Sequence, residues 1–272
     1  LAFTGLNNCT IDLSASVVHS KLKENGVITL TNCFNTDIIC KTVKADYDYE
    51  GFAAIGTNLH YLFRFVNSIA CSLTKAKCSN IRSLVEFYDC TSCSASKNYN
   101  KGYLPNITDF TIGAGIANAN YLPFISFSGG RHNKAFLNHC DNHGSCVLWG
   151  RNSEQPIAWG NTGSHLWDNG IYGSSGNGSI SFGNAFDSVY GTGAKPRGSN
   201  NIAIANTFSN VGTGVSSTGN GVADEAGANG FGNMSVFNTV DVSYNYAVNV
   251  GIQDNLYSRG GIVAFNTSRN HR

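Results

Sequence analysis

Short apolar runs that alternate with period two recur along the whole chain. Cys9-Thr10-Ile11-Asp12-Leu13, Val27-Ile28-Thr29-Leu30, Phe63-Arg64-Phe65-Val66 and Leu84-Val85-Glu86-Phe87 are examples, each bounded by Asn, Gly, Ser or Thr. Alternation of this kind between turn formers predicts strands. No stretch of about eleven residues carries apolar side chains at i, i+3, i+4 and i+7, so helices are not expected.

The strands share a frame, apolar-x-apolar-x-Asn. It ends on Asn32, Asn67, Asn184 and Asn206, more loosely on Asn266, partially on Asn138 and Asn245, and with an acid in the Asn place on Asp89. The closest copies step by about 22 residues, a solenoid-like period. Larger gaps, such as Asn32 to Asn67 and Asp89 to Asn138, read as two rungs or as one rung with an insertion. A short step, strands, and Asn at a fixed turn predict an all-β fold, a right-handed parallel β-helix. Asn tolerates the left-handed backbone of a tight turn, and stacked amides about 4.8 Å apart can bond along the column. Residues 97–123, 192–200 and 213–233 break the rhythm and read as loops thrown out from the solenoid. Residues 1–272 thus read as one domain. It begins and ends in strand-and-turn sequence, as a fragment of a longer chain would.

Between Asn138 and Gly191 the frame gains chemistry. Asn138, Asp141, Asn142 and Gly144 form one copy, and Asn184, Asp187, Ser188 and Gly191 another. His165, Asp168, Asn169 and Gly170 read as a third, with His in the Asn place. Three residues after the ladder position come Asp141, Asp168, Asp187, Ser209, Val248 and Arg269. Neighbouring rungs hold equivalent positions about 5 Å apart and alternate rungs about 10 Å. Carboxyl pairs about 5–5.5 Å apart suit retaining glycosidases, and pairs about 6.5–9.5 Å apart suit inverting ones. The catalytic candidates are therefore Asp168 with Asp187 or Asp141, assisted by Glu154. Turn chemistry alone also yields an aligned set of Asp, Asn and Ser.

Trp149, Trp159 and Trp167 all fall in this stretch, and flat indole rings match the C–H faces of sugars. Trp149 and Trp167, beside charge, are the stronger candidates, and Trp159 the one expected in the core. Arg151, His165, Tyr190, Lys195 and Arg197 complete the candidate substrate-binding set. His139 and His143 flank Asp141, but four-residue spacing on a strand or turn does not make a metal site, so no metal or cofactor is expected.

Composition narrows the partners. Eighteen basic residues stand against 17 acidic, and only 13% of residues are charged. No basic patch points to nucleic acid, and no apolar run is long enough for a membrane helix. The odd cysteine count, nine, reads as buried free thiols.

The segments NNCTIDL, DYDYEGF, DNGIYGSSGNGSISFGNAFDSVYGTG and VAFNTSRN resemble the β-helical shaft of bacteriophage tailspikes. The likeness is one of texture, with no family catalytic motif to transfer. It implies a parallel homotrimer, a virion protein made in bacterial cytoplasm, that binds and cleaves bacterial surface polysaccharide such as capsule or O-antigen by endo-glycosidase action. A polysaccharide lyase using Lys195 and Arg197, a non-catalytic adhesin, and a secreted enzyme are the alternatives.

Overall fold

The computed structural model describes residues 1–20, 27–45, 61–79, 81, 83–101, 123–150, 152–166, 168–173, 177–195, 198–217, 232–241, 250–254 and 262–269. Among them are 26 strands, all paired in parallel, and no helix. Each strand bonds to the equivalent strand of the next coil, so the chain winds as a parallel β-helix with three faces, as the period predicted.

Face I runs through Ile28–Thr31, Tyr61–Val66, Ser83–Tyr88, Pro123–Ser128, Ser145–Trp149 and Asn169–Gly173. Face II runs through Ser72–Thr74, Ser94–Ser96, Lys134–Phe136, Ile157–Trp159, Ile180–Phe182, Ile202–Ile204, Met234–Val236 and Ile262–Ala264. Face III runs through Lys77–Ser79, Tyr99–Asn100, His139–His143, Thr162–Leu166, the first half of Ala185–Lys195, the first half of Thr207–Ser217, Thr239–Asp241 and Thr267–Arg269.

The corner between faces II and III holds the amide ladder. Asn98, Asn138, Asn161, Asn184, Asn206, Asn238 and Asn266 follow one another, each Nδ2 donating to the next Oδ1 at 2.9–3.0 Å. The steps are 40, 23, 23, 22, 32 and 28 residues, so the long gaps are single coils carrying insertions.

The structure differs from the sequence expectation at two places. The ladder members are Asn161 and Asn238, whereas His165 lies on face III and Asn245 lies outside the described residues. Asn32, Asn67 and Asp89 belong to a different corner, between faces I and II. There they are left-handed, with φ of 53°, 48° and 48°. The ladder Asn are not. The left-handed residue is the one before them: Lys97, Leu137, Gly160, Gly183, Ala205, Phe237 and Phe265, with φ between 52° and 61°. Asn thus serves two physical ends. At one corner it tolerates a strained backbone. At the other it is buried and satisfies main-chain groups that the turn leaves unpaired.

The core is a stack of inward columns. On face I, Phe65, Phe87 and Phe127 pile up with ring centroids 4.8 Å and 5.3 Å apart. Trp149 pairs in register with Phe127, so it continues this column and is fully buried. All nine cysteines are free, eight of them buried and Cys9 half-buried, as expected. Burial pushes the Cys40 thiol up to about 11, so this residue packs as a small apolar group.

Candidate functional site

On face III the outward positions form two columns. The first is Tyr99, His139, Thr162, Ala185, Thr207, Thr239 and Thr267. The second is Asp141, Ser164, Asp187, Ser209, Asp241 and Arg269. The face therefore offers a hydroxyl or a carboxylate at each coil. Directly after the second column the strands bend at Asn142, His165, Ser188 and Asn210, which are left-handed with φ of 47°, 54°, 55° and 50°. Asn, His and Ser here are the small polar residues that follow the acid in the sequence frame. The bend reverses the inward–outward alternation, which is why His139 points out while His143 is fully buried against Phe124.

Asp187 is held by three side-chain donors. Ser209 Oγ and Asn210 Nδ2 donate to its Oδ1 at 2.5 and 2.9 Å, and Ser188 Oγ donates to Oδ2 at 2.7 Å. Partial desolvation raises its pKa, but these three donors, in the order Ser209, Ser188 and Asn210, together outweigh it, and His165 adds a smaller lowering. The net pKa lies below the ordinary aspartate value. Asp141 accepts a very short hydrogen bond from Ser164 Oγ. That hydroxyl also meets His165 Nδ1 at 3.0 Å, and the imidazole stands 3.9 Å from Asp141 Oδ1. Since Ser164 has one proton and gives it to Asp141, His165 is the donor in the Ser164 contact. The result is a relay His165–Ser164–Asp141 beside the ionised Asp187. Tyr99 and His139 stack on the same face, centroids 5.0 Å apart and planes 7° apart, with Tyr99 exposed. They form a flat platform two residues before the acid column.

The structure thus brings Asp141, Asp187 and His165 together and disperses the remaining candidates. Asp168 does not join the column. Aligning on Asn161 puts Ser164 in its place, and Asp168 sits at the bend into face I, where its carboxylate accepts from Ser145 Oγ at 3.2 Å. Glu154 lies at the corner between faces I and II, in register with Arg131 and Asn177. Trp149 is core, so it offers no ring to a ligand. Trp159, expected in the core, is 36% exposed on face II and stacks on Phe136 at 5.2 Å. The two tryptophans exchange roles because Trp149 shares the inward parity of Val147, whereas Trp159 sits one residue beyond the inward Ala158. Lys195 lies on face I, its Nζ 6.0 Å from the Tyr172 ring centroid. Trp167, Arg151 and Arg197 lie outside the described residues, as does the side chain of Tyr190. The Tyr99–His139 platform is not among the residues expected from the sequence. Its signal was present, since each residue directly follows a ladder Asn, Asn98 and Asn138.

No protein-family model matches the sequence, and no curated protein matches it. Solved structures do match the fold. A variant tailspike protein of E. coli bacteriophage HK620 in complex with a pentasaccharide superimposes with a TM-score of 0.64 at 11% identity, covering 98% of this chain and 49% of that one. A further variant in complex with a hexasaccharide gives a TM-score of 0.66 at 12% identity over 95% and 50% of the two chains. The chain therefore spans about half the length of the tailspike chains it matches, and at this identity the likeness is one of fold.

Proposed function

We propose that this chain is the shaft of a tailspike-type protein that binds a bacterial surface polysaccharide along face III and hydrolyses it there. The observation that carries the reading is the Asp141–Ser164–Asp187 column beside the Tyr99–His139 platform. Asp187 is ionised through the neutral and mildly acidic range and serves as general base, and Asp141 passes on to the leaving oxygen a proton that it takes from Ser164 as His165 re-protonates that hydroxyl. The two acids occupy alternate coils, so their backbones stand about 9.6 Å apart from strand spacing, with only the small Ser164 between their side chains. That separation leaves room for a water and favours inversion of the anomeric centre over retention. The lyase alternative has less support, because Lys195 lies on another face. The HK620 tailspike complexes with oligosaccharides support glycan as the ligand class. The test is incubation with a panel of purified capsules and O-polysaccharides. Shorter fragments with new reducing ends and no ultraviolet-absorbing double bond are expected with at least one of them. Fragments carrying an unsaturated sugar sink the hydrolase reading, and binding without fragments leaves an adhesin.

The working form in this proposal is a homotrimer, and face II supplies its interface. From the Ile157–Trp159 coil to the Ile262–Ala264 coil, the described outward side chains of face II carry no charge. They are Ile157, Trp159, Ile180, Phe182, Ile202, Ile204, Met234, Val236, Ile262 and Ala264. Trp159 and Phe182 are 36% and 47% exposed in the single chain. A continuous apolar face of this kind marks an association surface, and parallel solenoids meet through the same face under threefold symmetry. Sedimentation is expected to give three chains per particle for the unmodified protein and one for the double variant Trp159→Asp/Phe182→Asp. A monomeric unmodified protein removes face II from this role.

A further inference from the structure

We infer a second glycan site, at the corner between faces I and II, that holds a neutral pyranose sugar without cleaving it. The inference rests on the glycan-binding reading above but uses none of its residues. At this corner Arg131, Glu154 and Asn177 are paired in successive coils and exposed. Beside them runs the left-handed column His132, Gln155, Gly178 and Asn200, with φ of 56°, 49°, 67° and 57°. The column is notched at Gly178. A Cβ there would stand 3.2 Å from Gln155 Cγ, so the missing side chain opens the space between Gln155 and Asn200. The resulting open groove has a volume of about 340 Å³ and is lined by these seven residues.

Its chemistry fits vicinal hydroxyls. The Glu154 carboxylate can accept from two adjacent hydroxyls, the Arg131 guanidinium donates to sugar oxygens, and the amides do both. Neither Arg131 nor Glu154 forms an ion pair with another described residue. Asn177 Oδ1 accepts from the Ser199 N–H at 2.9 Å, which orients its Nδ2. His132 Nε2 and Gln155 Oε1 meet at 2.5 Å and fix one rim. One guanidinium and one carboxylate nearly cancel, so the groove has no excess positive charge to select an acidic sugar. With a single carboxylate it lacks the pair that hydrolysis requires. The volume suits one or two rings, at the low end of the range for small-molecule sites. The site would grip a separate stretch of glycan on another side of the shaft and raise avidity.

The test is saturation-transfer difference NMR with glucose, galactose and N-acetylglucosamine on Tyr99→Ala, which removes the exposed ring of the face III platform, and on Tyr99→Ala carrying Gly178→Asn or Glu154→Gln. Asn accepts the left-handed backbone at 178 and fills the notch, so the fold is kept. Signal from at least one sugar is expected in Tyr99→Ala, with loss when Gly178→Asn is added and at least a severalfold reduction when Glu154→Gln is added. Signal that survives both additions overturns the site. Absence of signal in Tyr99→Ala also overturns it. If a polysaccharide still binds the unmodified protein in that last case, the reading of face III stands; if none binds, that reading fails too.

Discussion

Asn184→Ala is expected to lower stability by roughly 2–6 kcal/mol. The Asn184 amide makes four ladder bonds. Its Nδ2 donates to the Ala158 carbonyl at 3.0 Å and to Asn206 Oδ1 at 2.9 Å. Its Oδ1 accepts from the Asn161 N–H and from Asn161 Nδ2, both at 2.9 Å. Truncation leaves two donors of Asn161 buried without partners and takes one of its bonds from the Ala158 carbonyl. Each such group costs about 1–3 kcal/mol, against a total stability of about 5–15 kcal/mol. Asn184→Asp is expected to be worse at neutral pH, because a carboxylate would face the Ala158 and Asn206 oxygens. Burial and those oxygens raise the folded-state pKa of the new acid above its unfolded value. Its deficit is therefore smallest below the unfolded value and grows as pH rises through the folded one. The contrast that isolates the ladder is Asn67→Gly. Asn67 is exposed and left-handed, a conformation Gly adopts freely, so a change within about 0.5 kcal/mol is expected. Thermal midpoints of the three variants check this. Equal midpoints for Asn184→Ala and the unmodified protein would show that the amides contribute nothing.

The same contrast explains what the sequence could and could not disclose. Strand content and a step just above twenty residues were legible, because period-two alternation and turn residues are local signals. Stacked amides were legible too. Which Asn stack was not, because Asn32 and Asn184 end the same apolar-x-apolar-x-Asn string although one bends the chain and the other fills the interior. A Gly immediately before the Asn separates them at Gly160-Asn161 and Gly183-Asn184, but Leu137 and Phe237 hold that left-handed place elsewhere, so the signal is incomplete. Misplacing one ladder member moved the acid column by four residues and put Asp168 where Ser164 stands. The two tryptophans were exchanged for a similar reason. Charge near Trp149 in the sequence says little about its face, whereas strand parity relative to Val147 settles it. Glu154 and Arg131 are distant in the sequence from each other, and only the register of adjacent coils makes them neighbours.

Asp187→Asn is expected to reduce kcat/KM for glycan cleavage by about 10²–10⁴, the range for loss of a general base, while binding of the same glycan changes only severalfold. The amide keeps an oxygen to accept from Ser209 or Ser188, so the column should hold its shape. What is lost is the charge that activates water. Asp141→Asn should have a comparable effect on glycosides with poor leaving groups and a smaller one on activated aryl glycosides, which need no proton donor. Asp168→Asn, at the bend and outside the column, should retain most of the activity. The pH profile follows from the lowered pKa of Asp187. A base with a depressed pKa remains ionised as pH falls through the usual carboxylate range, so the acidic limb of kcat/KM should lie below that range. Product configuration provides the separate check. Acids on alternate coils require that the first-formed sugar has the inverted anomeric configuration, seen by NMR before mutarotation. Retention would require two acids about 5–5.5 Å apart, which the Asp141–Ser164–Asp187 column does not offer. A retained product, or full activity in both Asp187→Asn and Asp141→Asn, would move the chemistry off face III.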